Sequence, residues 1–342
     1  MKTIRVALIG LGNIGRNLLD ILVHRQAAIA HDHGLRFSLV AAADSRGAAI
    51  CAEGLDLAQL RDIKLARGSV AEIPLHGRAG LTGLGMLAQI EADVLVEASP
   101  TNLVDGEPGM SCSRLALERG MHLVFANKGP LVLAYDDLMA QAASVGRQVL
   151  FSGTVAGGLP TVNIGVRDLA GSGVTRVEGI FNGTTNYILT RMANEHLSYD
   201  AAVKGAQAAG IAEADPTLDV DGWDAANKLV IIANSVLHRP TRLQDLTVKG
   251  IRDITLADLD AAAAQGQAIK LLAIAERQGG DYALRVEPTW LPLNHPLART
   301  GMWDMAVVYY TDYMGVISAI IEEEGPVPTS AAVLRDMINL YR

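Results

Sequence analysis

In the first half of the chain, apolar residues fall in short β-branched runs that alternate with stretches of helical spacing. Ile4 to Ile9 is one such run; it leads into Gly10-Leu11-Gly12-Asn13-Ile14-Gly15, and a helical pattern then extends from Asn17 to about Ala30. Phe37 to Ala43 (ending at Asp44), Asp93 to Ala98, Met121 to Ala126 and Gln148 to Phe151 read as further strands, with helical stretches such as Arg114 to Arg119 between them. This alternation predicts an α/β fold, with a parallel sheet carrying helices on both faces. Later, Val174 to Phe181 reads as a strand, and Asn182-Gly183-Thr184-Thr185-Asn186 as a turn with a threonine N-cap opening a helix to about Ala193. Ala225 to Ala233 is apolar on every face except at Asn227 and Lys228, the pattern of a buried helix.

Composition narrows the possibilities. At 342 residues the chain is long enough for two domains, and with half its residues apolar and 19% charged it is neither disordered nor fibrous. Lys and Arg total 29 against 37 Asp and Glu, and the net charge of −8 argues against a nucleic-acid partner. The longest apolar runs, such as Leu229 to Ala233, fall far short of the roughly 18 residues of a membrane span, so no membrane partner is expected. The N-terminus lacks the pattern of a signal peptide, and Cys51 and Cys112 form no paired or metal-binding motif, which leads to the expectation of a cytoplasmic protein.

The glycine turn carries the first candidate chemistry. In a G-x-G-x-x-G placed between a strand and a helix, Gly10 permits the tight turn, Gly12 lets backbone approach a pyrophosphate, and Gly15 lets helix and strand pack closely. Asn13 and Ile14 lie at the helix N-terminus that would face the anion. Asp44, ending the second strand, suits a ribose 2′-hydroxyl and favours NAD, whereas Arg46 two residues on suits the 2′-phosphate of NADP; the choice stays open. Further cofactor contacts are expected at Ser99 and Thr101, after the Asp93–Ala98 strand, and at Lys128 after the Met121–Ala126 strand. In an open parallel sheet, ligands bind outside the carboxyl ends of the strands.

Ser152 to Pro160 packs three glycines and a proline into a shaped loop, either a hinge or a backbone cradle for an ion or ligand. Gly210 to Asp224 crowds five carboxylates into a short segment with no cation among them, which is costly unless a positive group arrives. Lys228 supplies one, since Asp224 stands four residues before it on the same helical face. Capping by Asp221 and an ordinary ion pair explain Asp224 but not the lysine, so Lys228 is read as an acid–base group. His122, His196 and His295 lack ligand spacing and are read as structural or exposed.

The glycine fingerprint, Ala126-Asn127-Lys128, the Thr154–Pro160 loop, Gly179 to Leu189 with its Asn-Gly-Thr-Thr-Asn-Tyr, and Glu213 through Lys228 together resemble homoserine dehydrogenase, in the family's order across most of the chain. The resemblance implies reversible, NAD- or NADP-dependent interconversion of L-aspartate 4-semialdehyde and L-homoserine, in threonine, isoleucine and methionine biosynthesis, by a homodimer. It implies a Rossmann-type domain over residues 1–150, completed by 323–342, and an α+β catalytic and dimerisation domain over 151–322. Lys228 would be the principal proton-transfer group and Lys128 its companion; Glu213 would bind the substrate ammonium, and Asp219 and Asp224 would orient substrate and lysine. Gly210 and Gly325 match positions that approach the cofactor.

The family's monovalent cation, Na+ or K+, would sit on the main-chain carbonyls of Val155, Gly157 and Leu159, but Ser152 stands where the family usually has a glutamate ligand. The chain also lacks the ACT domain that many relatives append, and no threonine feedback through such a domain is expected. Two rivals remain. An aspartate-semialdehyde dehydrogenase would need a cysteine nucleophile, for which Cys112 has no histidine partner. A non-catalytic NAD(P) sensor would not need both lysines and the matched carboxylates.

Overall fold

The β-branched run at the start of the chain forms β1 (Lys2–Ile9), and the computed structural model, which describes residues 1–342, builds a seven-stranded sheet around it. Its other strands are β2 (Leu35–Asp44), β3 (Gly47–Ile50), β4 (Gly77–Ala79), β5 (Val94–Glu97), β6 (His122–Phe125) and β7 (Val149–Leu150), in the order β4-β3-β2-β1-β5-β6-β7. From β2 to β7 the pairing is parallel, so strands such as β5 are buried on both faces, as expected for a sheet covered by helices. The edge differs from the expectation. β3 and β4 continue the sheet antiparallel, and their short Gly- and Ala-rich sequences carry little strand signal.

Two compact units make up the chain: Met1–Gly158 with Pro326–Arg342, and Leu159–Gly325. In the first, helix Val327–Asn339 contributes Val333, Leu334 and Met337 to the same core as Leu18, Leu19 and Leu22 of helix Asn13–His33. The second unit holds a six-stranded sheet of β8 (Val174–Ile180), β9 (Thr247–Val248), β10 (Gln267–Gln278), β11 (Asp281–Pro292), β12 (Asp304–Thr311) and β13 (Val316–Glu322). The order is β13-β12-β8-β10-β11-β9, antiparallel except for the short β11–β9 pair. Helices Gly183–Glu195 and Trp223–Ser235 pack against β10. The two units together have the Rossmann-type α/β plus α+β character expected from the sequence.

Two helix starts differ from the sequence reading. Asn182, not a threonine, caps the Gly183–Glu195 helix, its side-chain oxygen accepting the Thr185 N–H at 2.8 Å. The buried Trp223–Ser235 helix starts at Gly222 in a left-handed conformation (φ 87°) without a side-chain cap, because Asp221 turns instead to Arg252. No helix is long and apolar enough to cross a membrane.

Candidate active site

The first glycine turn has the shape its sequence requires. Gly10 has φ 92°, and a Cβ there would lie 2.1 Å from the Ala98 carbonyl oxygen; a Cβ on Gly15 would lie 2.1 Å from the Gly10 carbonyl oxygen. Only glycine fits either place. A Cβ on Gly12 would meet nothing within 4 Å, so the turn is tight beneath and open above. The Asn13–His33 helix has no side-chain cap and no acidic residue in its first turn, which leaves the N–H groups around Asn13 and Ile14 suited to an anion. These residues fit a dinucleotide pyrophosphate. Ser330 braces the same turn by donating to the Ile14 carbonyl at 3.0 Å.

Asp44 differs from the ribose-binding expectation. Its carboxylate accepts from Lys64 Nζ at 2.8 Å and from Ser69 Oγ, Arg46 N and Val70 N at 2.9 Å each, and its side chain is only 5% exposed. Burial alone would raise its pKa, but these donors, Lys64 foremost, hold it below the usual carboxylate value. Asp44 therefore anchors the end of β2 internally, and a ribose would have to displace one of its partners. The Arg46 guanidinium stays half exposed, donating to the Arg67 carbonyl at 2.9 Å.

At the carboxyl ends of β5 and β6 the structure joins Ser99 and Asn127 around a carboxyl group that sequence reasoning missed. Glu97 is fully buried and accepts the Ser99 N–H at 3.0 Å; Asn127 donates to Ser99 Oγ at 3.2 Å and accepts the Gly129 N–H at 2.9 Å. Burial raises the Glu97 pKa against the pull of Ser99 and Asn127. Lys128, half-buried, stands at the start of the Gly129–Ser144 helix, while Thr101 is exposed in the preceding loop.

In the second unit, Lys228 Nζ donates to Asp224 Oδ2 at 2.7 Å and to the Phe181 carbonyl, with 12% of its side chain exposed. Asn182 bridges the carboxylates, donating to Asp219 at 2.7 Å and to Asp224 at 2.9 Å. Burial and then repulsion from Asp224 push the Asp219 carboxyl up, opposed by Asn182, Thr184 and Lys228. Two acids, an amide and an ammonium thus form one polar cluster at an apolar helix. Glu213 lies exposed in the loop before it, whose carbonyls at Glu213 and Ala214 are held by Gln207 at 3.3 and 3.1 Å. Gly210 and Gly325 line a single cavity of about 420 Å³ with Gly183, Thr184, Met302 and Trp303.

The Ser152–Leu159 loop carries the residues of the expected cation site. Arg335 donates to Ser152 Oγ and, at 3.1 Å, to the Gly158 carbonyl, and the Leu159 carbonyl already accepts the Thr161 N–H at 2.8 Å. A guanidinium thus engages this loop at Ser152 and Gly158, and of the three carbonyls expected to hold an ion, those of Val155, Gly157 and Leu159, that of Leu159 is already an acceptor.

Lys270 in β10 is another group the sequence reading missed. It is only 5% exposed and donates to Asn186 Oδ1 at 2.8 Å, Thr300 O at 3.0 Å and Thr190 Oγ1 at 3.1 Å. Burial brings its pKa down to about 8, opposed only by Asp304. Its signal was a lysine inside the apolar run Ala268 to Ala275. The histidines are structural or exposed: His122 accepts the Gln148 N–H, His295 meets Glu178 and Tyr310, each at 3.0 Å, and His196 faces solvent. Cys112 is buried and its thiol is pushed up to about 12, chiefly by burial and then by Glu97 and Glu107, the opposite of a nucleophile's environment.

Comparison with known proteins bears on the whole chain. A sequence model of homoserine dehydrogenase matches residues 160–338, and one of the glutamate/leucine/phenylalanine/valine dehydrogenases matches residues 1–111. A homoserine dehydrogenase of Methanocaldococcus jannaschii is 36% identical over 336 residues, 98% of each chain. An NAD(+)-dependent homoserine dehydrogenase of Pseudomonas canavaninivorans is 35% identical over 344 residues, covering 100% of this chain and 97% of its own. The crystal structure of homoserine dehydrogenase from Thermoplasma acidophilum matches with a TM-score of 0.86 at 29% identity and covers 99% of both chains.

Proposed function

The chain belongs to the homoserine dehydrogenase family, and from that premise we propose which of its residues carry the reaction. The activity is the reversible, NAD- or NADP-dependent interconversion of L-aspartate 4-semialdehyde and L-homoserine, a step toward threonine, isoleucine and methionine. The nicotinamide, when bound, supplies or accepts the hydride. The protein's part is the proton: reduction of an aldehyde carbon leaves an alkoxide oxygen that must be neutralised, and oxidation of the alcohol requires a base.

Lys228 is that group. The observation that carries this reading is a lysine ammonium on an apolar helix, held by one carboxylate and one carbonyl and retaining a partly exposed side chain. Asp224 fixes its position, and Asp219, joined to Asp224 through Asn182, orients the substrate. Glu213 receives the substrate ammonium, and Lys128 is the companion lysine of the nucleotide unit. Gly10, Gly12, Asn13, Ile14 and Gly15 take the pyrophosphate; Ser99, Thr101, Gly210 and Gly325 contribute the remaining cofactor contacts, with Arg46 at the adenosine ribose.

We further propose a cytoplasmic homodimer, in which a second copy covers the exposed apolar side chains of edge strand β13, Val316 and Ile320. Sedimentation of wild type and Ile320→Lys tests this: a monomeric wild type removes the dimer. The test of function is the initial rate of L-homoserine oxidation at alkaline pH with NAD and NADP in parallel. Substrate-dependent reduction of either is expected. A protein that binds NAD(P)H but turns over no homoserine overturns the assignment.

A further inference from the structure

Three main-chain and side-chain groups of the Ser152–Gly158 loop are tied by two neighbouring residues of one helix. Ser152, 1% exposed, has its N–H bonded to Asp336 Oδ2 at 2.7 Å and its hydroxyl bonded to Arg335; the other end of the loop, the Gly158 carbonyl, accepts from Arg335 Nη1 at 3.1 Å. Between these ends Ala156 and Gly157 have φ of 56° and 57°. A left-handed alanine is strained and persists only where its surroundings hold it.

We infer that the Arg335 guanidinium is a built-in cation that closes this loop in place of a monovalent metal ion, so that the enzyme needs neither sodium nor potassium. The inference rests on the family reading for its functional consequence and on Arg335 for its physics. A guanidinium carries a permanent charge and several donors in one plane, so a single side chain can bond two acceptors at opposite ends of a loop. It stays protonated at any pH the protein survives, and its local concentration does not depend on the medium. A metal ion entering beside it would be repelled by a like charge and would find the Gly158 carbonyl and Ser152 hydroxyl occupied. Serine is also the residue this arrangement requires. It is small enough to leave the guanidinium room at position 152, where a glutamate would bring a second carboxylate next to Asp336.

The test uses full-length enzyme exchanged into choline, sodium or potassium chloride at equal ionic strength. Homoserine oxidation rates and thermal midpoints are expected to agree within about twofold and about 1 °C, since no ion binds the folded state preferentially. A saturable activation of about tenfold or more by sodium or potassium overturns the inference. Arg335→Ala removes the guanidinium and leaves its space open. Its thermal midpoint is expected to drop and to recover on adding low millimolar methylguanidinium, potassium or sodium, whereas a midpoint equal to wild type and insensitive to all three overturns it. The double variant Ser152→Glu, Arg335→Ala is expected to show a midpoint that rises with potassium or sodium, and an unresponsive but folded double variant counts against the inference. Thermal midpoints need no turnover, so a protein inactive on homoserine in every salt would refute the functional reading while the cation comparison still decides this one.

Discussion

Two lysines of the second unit are wholly or largely withdrawn from solvent, and they differ in what holds their charge. Lys228 faces a carboxylate and a carbonyl and keeps 12% of its side chain exposed; Lys270 is sealed among an amide oxygen, a hydroxyl and a carbonyl, with no carboxylate bonded to it. The consequence for Lys270 is a pKa brought down to about 8 by burial. On the proposed reading, the charge placed for chemistry retains a partner of opposite sign and a path outward, whereas Lys270 is surrounded by neutral acceptors that it orders. Those acceptors matter: Asn186, one of the three, also donates to the Gly301 and Asp304 carbonyls at 2.6 and 2.9 Å, so Lys270 locks the Gly183–Glu195 helix to the Gly301–Asp304 turn.

The largest effect should separate the two lysines outright. Lys228→Ala is expected to lower kcat by about 10²–10⁴-fold, the range of a lost general acid–base, while cofactor affinity by fluorescence titration stays near wild type. Near-normal turnover would remove Lys228 from the mechanism. Lys270→Met should do the reverse, costing about 1–3 kcal/mol of stability in a denaturant titration because three acceptors lose their donor, with a smaller change in turnover. If instead its kcat collapsed at unchanged stability, Lys270 would belong to the chemistry.

Asp224→Asn keeps an acceptor for Lys228 but removes the charge, and a loss of about tenfold in kcat is expected, together with a displaced basic limb of the pH–rate profile. An unchanged profile would mean that Asp224 contributes geometry alone. The smallest effect is a slope. With its folded pKa near 8 and an ordinary value of 10.5 when unfolded, Lys270 leaves the unfolded chain holding the extra proton between those values. Stability should therefore rise with pH from about 8 to about 10.5 on this account, and Lys270→Met should flatten that rise. Identical slopes in the two proteins would show that Lys270 does not titrate with folding.

What could be read from the chain followed from local signals. β1, the glycine turn and its helix declare themselves through β-branched residues and a tight spacing, and Lys228 through one charge in an apolar helix. Lys270 sends the same signal from within β10, yet nothing in sequence distinguishes the two, because the difference lies in partners brought together from Asn186, Thr190 and Thr300. Asp44 was legible as the end of β2 but not as an internal anchor, since Lys64, Ser69 and Val70 reach it from about twenty or more residues away. Arg335 looks like any helix arginine; its role depends on Ser152 and Gly158, which only folding places beside it.

The Val327–Asn339 helix has a consequence for how the chain comes into being. During synthesis the first 158 residues emerge with part of their core missing, because Val333, Leu334 and Met337 are made only after all of Leu159–Gly325. The unit begun first is thus completed last, and the second unit, whose sheet and helices are contiguous in the chain, is free to settle before it. An NAD(P)-binding surface built this way becomes competent only once the Val327–Asn339 helix has emerged and docked, so no truncated product that stops short of that helix should hold the cofactor.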